Sequence, residues 1–338
     1  MGPTVSNVGN HRTDAANRPK GLSLGERRRK GPMELTKLNP LELPKSGPRE
    51  ALLEHLGTSD HKSGLFMRLK AEVGPRAAGS RFLNDVPGAR FSDVPTAAAT
   101  QVVAPDGNAL PANRMQISGQ KVCIASQYPT AAIMESYLGM LAANRTPVLV
   151  VLASDVDIDA GKMPRYFSES GQYGDVSVTV TDEGSRTLVD TLLMRSYTME
   201  ITDNADEKGA SIRIPVLHVT NWADYSGQNA EVLDALARDV DRIKDQQIHL
   251  YTLANSTALT DPDKLLPVIH CRAGVGRTGQ LAAARALQQA GETQKDGWDA
   301  LKDIVTDMRE SRNHLMVQTQ AQLDPLIELA NRKGRTIA

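Results

Sequence analysis

The chain is 338 residues long and 40% hydrophobic, enough to bury a sizeable core either as one large domain with an extension or as two small ones. Its 39 Lys and Arg balance 40 Asp and Glu to a formal charge of −1, so the field of the whole chain gives no reason to expect nucleic acid as the main partner. Two cysteines exclude a disulfide framework and fit a reducing compartment, leaving at least one thiol free for chemistry.

From Met1 to about Pro48 the sequence is rich in Gly, Pro, Asn and charge, and residues 1–50 carry ten Lys and Arg against five Asp and Glu. It lacks the apolar core and small-residue cleavage site of a secretory signal, and no run of about 18 apolar residues occurs anywhere in the chain. The expectation is a soluble protein with a flexible basic arm over residues 1–64, no membrane span and no export by a cleaved leader. The run Arg27-Arg28-Arg29-Lys30 can be read as a contact for a membrane surface or nucleic acid, though a solvated tail is the commoner explanation.

Over residues 49–72, Leu52, Leu53 and Leu56, then Leu65, Phe66 and Leu69, recur near the helical period, with a break at Gly57-Thr58-Ser59-Asp60 that predicts two short helices. Short β-like runs follow at Gln101-Val102-Val103, Met115-Gln116-Ile117 and Lys121-Val122-Cys123-Ile124. Thr130 to Asn144 reads as an amphipathic helix, and Pro147 to Leu152 as a buried strand. Further strands are expected at Val176–Val180, within Leu188–Ile201 and at Ile212–Val219, and a helix from Asn229 to about Ile243. Pro267 to Cys271 is a short apolar strand that runs into a glycine-containing loop, and helices follow from Arg277 to Gln289, Gly297 to Arg312 and Gln318 to about Arg332. The fold class is α/β: a single large domain over residues 65–338, with a twisted mixed sheet flanked by helices.

The chemistry concentrates where the last strand meets its loop. Cys271 is followed six positions later by Arg277, with Gly274 and Gly276 between them. Glycines let the backbone wind until successive N–H groups of Arg272, Ala273, Gly274, Val275 and Gly276 face one anion, and the helix beginning at Arg277 adds its positive end. The same field favours thiolate over thiol at Cys271, which makes it a nucleophile at neutral pH. Arg277 offers a planar two-pronged donor to two phosphoryl oxygens. The Thr278 hydroxyl can donate to the sulfur and help it leave.

The string Val268-Ile269-His270-Cys271-Arg272-Ala273-Gly274-Val275-Gly276-Arg277-Thr278-Gly279 resembles the signature of the protein tyrosine phosphatases. Gln127-Tyr128-Pro129, Ala143 to Leu149, His218 to Trp222 and Met316-Val317-Gln318 are similar to the secreted bacterial effector members of that family, and the resemblance spans about residues 80–335. It implies a phosphoric monoester hydrolase that works through a phosphocysteine on Cys271. Trp222-Ala223-Asp224 is similar to the family's Trp-Pro-Asp mobile loop, which gives Trp222 as packed hinge and Asp224 as general acid and then base. Ala223 departs from the pattern, and without proline's restriction the rate of loop closing and the population of the closed state are open.

By the same resemblance Gln318 positions the hydrolytic water, with Gln322 nearby as a second glutamine. Phe91 walls the pocket and Asp93 anchors the substrate peptide. Aromatic depth would select phosphotyrosine over the shorter phosphoserine. Asp157 stands where relatives carry a glutamate that orients the signature arginine, and His270 is expected to tune the loop through its ring hydrogen bonds. Cys123 reads as core. No metal-ligand spacing occurs among the histidines, and no cofactor is implied.

The resemblance also implies phosphotyrosine-containing host proteins as substrates, type III secretion into the host cytoplasm, and a basic arm that serves export or binds a secretion chaperone. Two other functions compete. A phosphotyrosine-binding module with slow turnover would follow if Ala223 disabled loop closure. A phosphoinositide phosphatase would require more basic residues in the loop than Arg272 and Arg277.

Overall fold

The computed structural model describes residues 64–74, 77, 79–204, 211–254, 264–289 and 297–332. The basic arm and the first of the two short helices expected before Leu65 lie outside the described residues.

The core of the fold is a nine-stranded mixed sheet among the described residues, bordered by a small two-stranded pair, β1 (Phe82–Leu83) with β2 (Thr96–Ala97). Its strands are β3 (Gln101–Val103), β4 (Ala109–Ile117), β5 (Gln120–Ser126), β6 (Leu149–Val151), β7 (Gly171–Tyr173), β8 (Val176–Leu188), β9 (Leu192–Asp203), β10 (Ser211–Val219) and β11 (Val268–His270). They lie in the order β3-β4-β5-β11-β6-β10-β9-β8-β7. The last strand in sequence is therefore inserted into the centre, and β5, β11, β6 and β10 run parallel there. The register aligns His270 with both Ser126 and Val151, and Val151 with His218. The carboxyl ends of all four strands thus open on one edge, the place where open α/β sheets put their ligands.

Alternation along these buried strands builds two apolar layers. Ala125, Val150, Leu217 and Ile269 face one side, and Ile124, Leu149, Val216 and Val268 the other. The first side is covered by α1 (64–74), α4 (Ala230–Ala254), α5 (Gly276–Gln289), α6 (Gly297–Ser311) and α7 (Gln320–Arg332). The second is covered by α2 (Met134–Ala143) and α3 (Asp155–Ala160). Val150, Ile269 and Val268 are fully buried, each stabilising by roughly 1.5–3 kcal/mol relative to exposure.

Several expected elements take other bounds. The helix read from Thr130 opens as a 3-10 turn, Ala131–Ile133, before α2 begins at Met134, because the hydroxyl of Thr130 is drawn to the Gly88 carbonyl and caps nothing. β8 runs well past Val180, and α4 continues past Ile243 to Ala254. Both extensions are largely solvent-facing, so neither carries the apolar period that marks the buried part of its element. α7 starts at Gln320, which leaves Gln318 in the loop before it.

Candidate active site

The loop after β11 winds from Cys271 into α5. Gly274 sits at φ +69°, in the left-handed region, and a Cβ there would lie 2.0 Å from the Ser126 carbonyl oxygen at the end of β5. Only glycine fits both the angle and the approach. At Gly276 a Cβ would come within 2.7 Å of the Gln322 amide and 2.9 Å of the Gln318 amide, so both glutamine side chains rest on the start of α5. Outside the loop, Arg312 is wholly buried and donates to the Ala273 carbonyl at 3.2 Å, fixing the loop's outer turn.

Cys271 is buried at the bottom of this cradle. Burial pushes its thiol up, but the Arg277 charge, the Thr278 hydroxyl and the backbone N–H groups of Thr278 and Val275 outweigh it and hold the thiol below its ordinary value. Burial pushes Cys123 up to about 12, because the Arg285 charge offsets it only in part and Asp241 opposes that charge. Of the two thiols, Cys271 alone is shifted toward the thiolate.

Arg277 has no exposed surface, and its guanidinium is shared among three acceptors. Nη1 donates to Asp157 Oδ2 at 2.6 Å and to the Trp222 carbonyl at 2.7 Å, and Nη2 donates to Asp224 Oδ1 at 2.9 Å. Asp157 comes from the first turn of α3, where its side chain and that of Ser154 form a reciprocal capping box. Burial raises its carboxyl and Arg277 more than offsets this, so it stays below the usual carboxylate range. The second oxygen of Asp224 accepts from Arg272 at 3.2 Å, and the Arg272 guanidinium lies over the Phe91 ring at 5.6 Å.

Trp222 is fully buried and anchors the segment that carries Asp224. Before it, the Asn221 amide bridges the Leu193 N–H and the Thr191 carbonyl at the β8–β9 hairpin. After it, Thr319 donates to the Tyr225 carbonyl at 3.2 Å. Gln280 on α5 donates to the Gln322 carbonyl at 2.9 Å, and its own carbonyl accepts the Gln228 N–H at 3.2 Å. The Gln318 N–H donates to the Gln322 side chain at 2.8 Å.

His270 is fully buried beneath the cradle. Nδ1–H donates to the Cys271 carbonyl at 3.1 Å, and burial lowers the ring's pKa to about 4, so the imidazole is neutral. A carbonyl can only accept, so the proton is on Nδ1 and Nε2 accepts from the Tyr166 hydroxyl at 2.7 Å.

A cleft of about 140 Å³ opens above Cys271, with Phe91, Asp93, Asp224, Tyr225, Arg272 and Gln318 among its walls. Phe91 is held there by Gln127, whose side chain accepts the Phe91 N–H at 2.8 Å and donates to the carbonyls of Phe91 and Val94 at 3.0 and 3.1 Å. The structure therefore brings Cys271, Asp224, Gln318, Arg272, Phe91 and Asp93 to one cleft, with Arg277 fully buried beneath it and Asp157, His270, Trp222, Thr278 and Gln322 behind them. The Thr278 hydroxyl is buried and has no partner of full hydrogen-bond geometry, so it is available to the sulfur.

Gln127, Arg312, Tyr166 and Gln280 escaped the reading of the sequence. Gln127 belongs to a stretch that carried the family resemblance, a signal that was present without a role attached. The other three act through contacts between distant segments, and no local pattern marks them.

The family profile described as protein-tyrosine phosphatase matches residues 87–331. The tyrosine-protein phosphatase YopH of Yersinia enterocolitica is 40% identical over 264 residues, covering 78% of this chain and 53% of the relative. The secreted effector protein SptP of Salmonella typhi is 33% identical over 241 residues, covering 69% and 40%. The chain thus spans about half the length, or less, of these curated relatives. The catalytic domain of human protein tyrosine phosphatase non-receptor type 18 superposes with a TM-score of 0.59 at 19% identity, over 84% of this chain and 98% of that one, which is a likeness of fold.

Proposed function

The chain belongs to the protein-tyrosine phosphatase family, and from that premise we propose that it hydrolyses phosphotyrosine in proteins through a phosphocysteine on Cys271. The observation that carries the reading is a thiol held below its ordinary value inside an anion cradle, in the same cleft as an arginine-bound carboxylate.

The phosphoryl dianion settles on the loop's N–H groups and on Arg277, which trades its contact with Asp224 for the substrate's oxygens. The Cys271 thiolate attacks phosphorus, the bond from phosphorus to the tyrosyl oxygen breaks, and Asp224 in its protonated form gives that oxygen its proton. Gln318 then orients a water, Asp224 takes the water's proton, and the new P–O bond displaces sulfur, which the Thr278 hydroxyl stabilises as it leaves. Phe91 stacks on the tyrosyl ring and Asp93 holds the substrate backbone, so phosphoserine does not reach the sulfur from the cleft mouth. Ala223 leaves the carboxylate in place and alters only how its loop is restrained.

Similarity to YopH and to SptP, which is named as a secreted effector, supports delivery into host cells by type III secretion. Host signalling proteins are then the substrates, and residues 1–64 serve export or a secretion chaperone. Among the described residues no helix is long and apolar enough to cross a membrane.

The test is a paired assay of phosphotyrosyl and phosphoseryl peptides with wild type and Cys271→Ser. Phosphate release from the tyrosyl peptide alone, abolished in the variant, supports the reading. Binding without turnover in the wild type would leave a phosphotyrosine-binding module in its place.

A further inference from the structure

Asp224 sits inside a four-residue turn, Ala223 to Ser226, whose closure is unusual in where its strength lies. The backbone bond that defines such a turn, from the Ser226 N–H to the Ala223 carbonyl, is long at 3.4 Å, while the Ser226 hydroxyl donates to the same oxygen at 2.7 Å. The Trp222 indole N–H donates to the Ser226 carbonyl at 3.2 Å, so the turn is tied to the buried side chain that precedes it.

The turn also opposes its own sequence. Tyr225, its third residue, lies at φ +59°, a conformation that favours glycine and costs an aromatic residue. Ala223 adds no restriction of its own. The other ties run from Asn221 to the hairpin, from Arg277 to the Trp222 carbonyl, from Thr319 to Tyr225, and from Arg277 and Arg272 to the Asp224 carboxylate, where an arriving anion competes for both guanidinium groups. None of them bonds to the peptide before Asp224. Among the described residues, the one side chain that bonds to that peptide is Ser226.

We propose that Ser226 is a positioning residue: its hydroxyl clamps the Ala223 carbonyl and so aims the Asp224 carboxyl group into the cleft. This rests on the reading of Asp224 as the proton donor. Without the clamp, the Ala223–Asp224 peptide rotates, the left-handed strain at Tyr225 is released, and the carboxyl group spends less time where a leaving oxygen would be. Ser226 is not among the residues that line the cleft above Cys271, so affinity for the anion itself should not change.

The test compares Ser226→Ala and Ser226→Thr with wild type. Phenyl phosphate has a basic leaving group that needs the acid, and p-nitrophenyl phosphate has a weakly basic one that needs it less. Ser226→Ala should lower kcat for phenyl phosphate roughly fivefold, the order of one hydrogen bond, and that for p-nitrophenyl phosphate less than twofold. Inhibition by inorganic phosphate should be unchanged, and Ser226→Thr should restore the rate. Amide hydrogen exchange over residues 222–228 in the protein without substrate should rise severalfold in Ser226→Ala and not in Ser226→Thr. This readout needs no turnover, so it judges the clamp even if the Cys271→Ser assay refutes the phosphatase reading. Unchanged exchange, equal losses on both substrates, or a parallel loss of phosphate inhibition would each overturn the proposal.

Discussion

The Asp224 carboxylate and the Arg277 guanidinium are joined at 2.9 Å, so the group proposed to deliver the proton is held by the group proposed to receive the phosphate. The arrangement is sequential by construction. An arriving phosphoryl group takes over the guanidinium and leaves the carboxyl group to the tyrosyl oxygen. Asp224→Asn should therefore lower kcat by roughly 10²–10⁴ while the phosphopeptide Kd changes little, because the acid acts in the transition state and does not hold the anion. Stopped-flow turnover and calorimetric binding measure the two separately, and a parallel loss of affinity would mean that Asp224 binds and does not protonate.

The two thiols should part company under alkylation. At neutral pH iodoacetate should modify Cys271 at least about 100-fold faster than Cys123, with inorganic phosphate protecting Cys271. The pH at which the Cys271 rate levels off should lie below the ordinary thiol range and move up in Arg277→Ala. Peptide mass spectrometry over a pH series reads both.

Acid should destabilise the protein through His270. Its ring titrates near 6.5 in an unfolded chain but only near 4 when buried here. Between those values the unfolded state holds a proton that the folded state refuses, so stability falls as pH drops through that window, by about 3 kcal/mol in total. Urea melts at pH 7, 5.5 and 4.5 should show the decline, and His270→Gln should remove this component of the slope.

Gly274→Ala should abolish activity and cost at least about 2 kcal/mol of stability. The new Cβ meets the Ser126 carbonyl, backbone against backbone, and no rotamer relieves it. Gly276→Ala meets only the ends of the Gln318 and Gln322 side chains and should be milder in thermal melts. Equal losses would mean that the contact at Ser126 does not govern the loop.

What was legible in the sequence follows from how far apart its parts lie. The cradle is contiguous: a strand, a glycine-bearing loop and a helix within about a dozen residues, so Cys271, Arg277 and the backbone donors could be read together. Asp224, Phe91 and Asp157 were reached through resemblance to a family, because nothing local to each implies a shared cleft. The insertion of β11 between β5 and β6 makes the meeting, and short apolar strands carry no mark of their neighbours. The outer half of β8 and the last turns of α4 face water and lack the apolar rhythm that reveals their inner halves. Arg312, buried and bound to the Pro95 carbonyl 217 positions away in sequence, reads as an ordinary surface charge.

Asp157 has a bearing on how this sequence can drift. One oxygen, Oδ2, accepts both the Ser154 N–H that closes the start of α3 and the Arg277 guanidinium beneath the cleft. Asparagine would preserve the cap and forfeit the charge. Glutamate would preserve the charge but arrive one methylene further out, where the oxygen that meets Arg277 no longer has to be the one that meets Ser154. An inherited change at this position is thus acceptable only alongside a shift in the start of α3, which ties the evolution of a six-residue helix to that of the phosphate site.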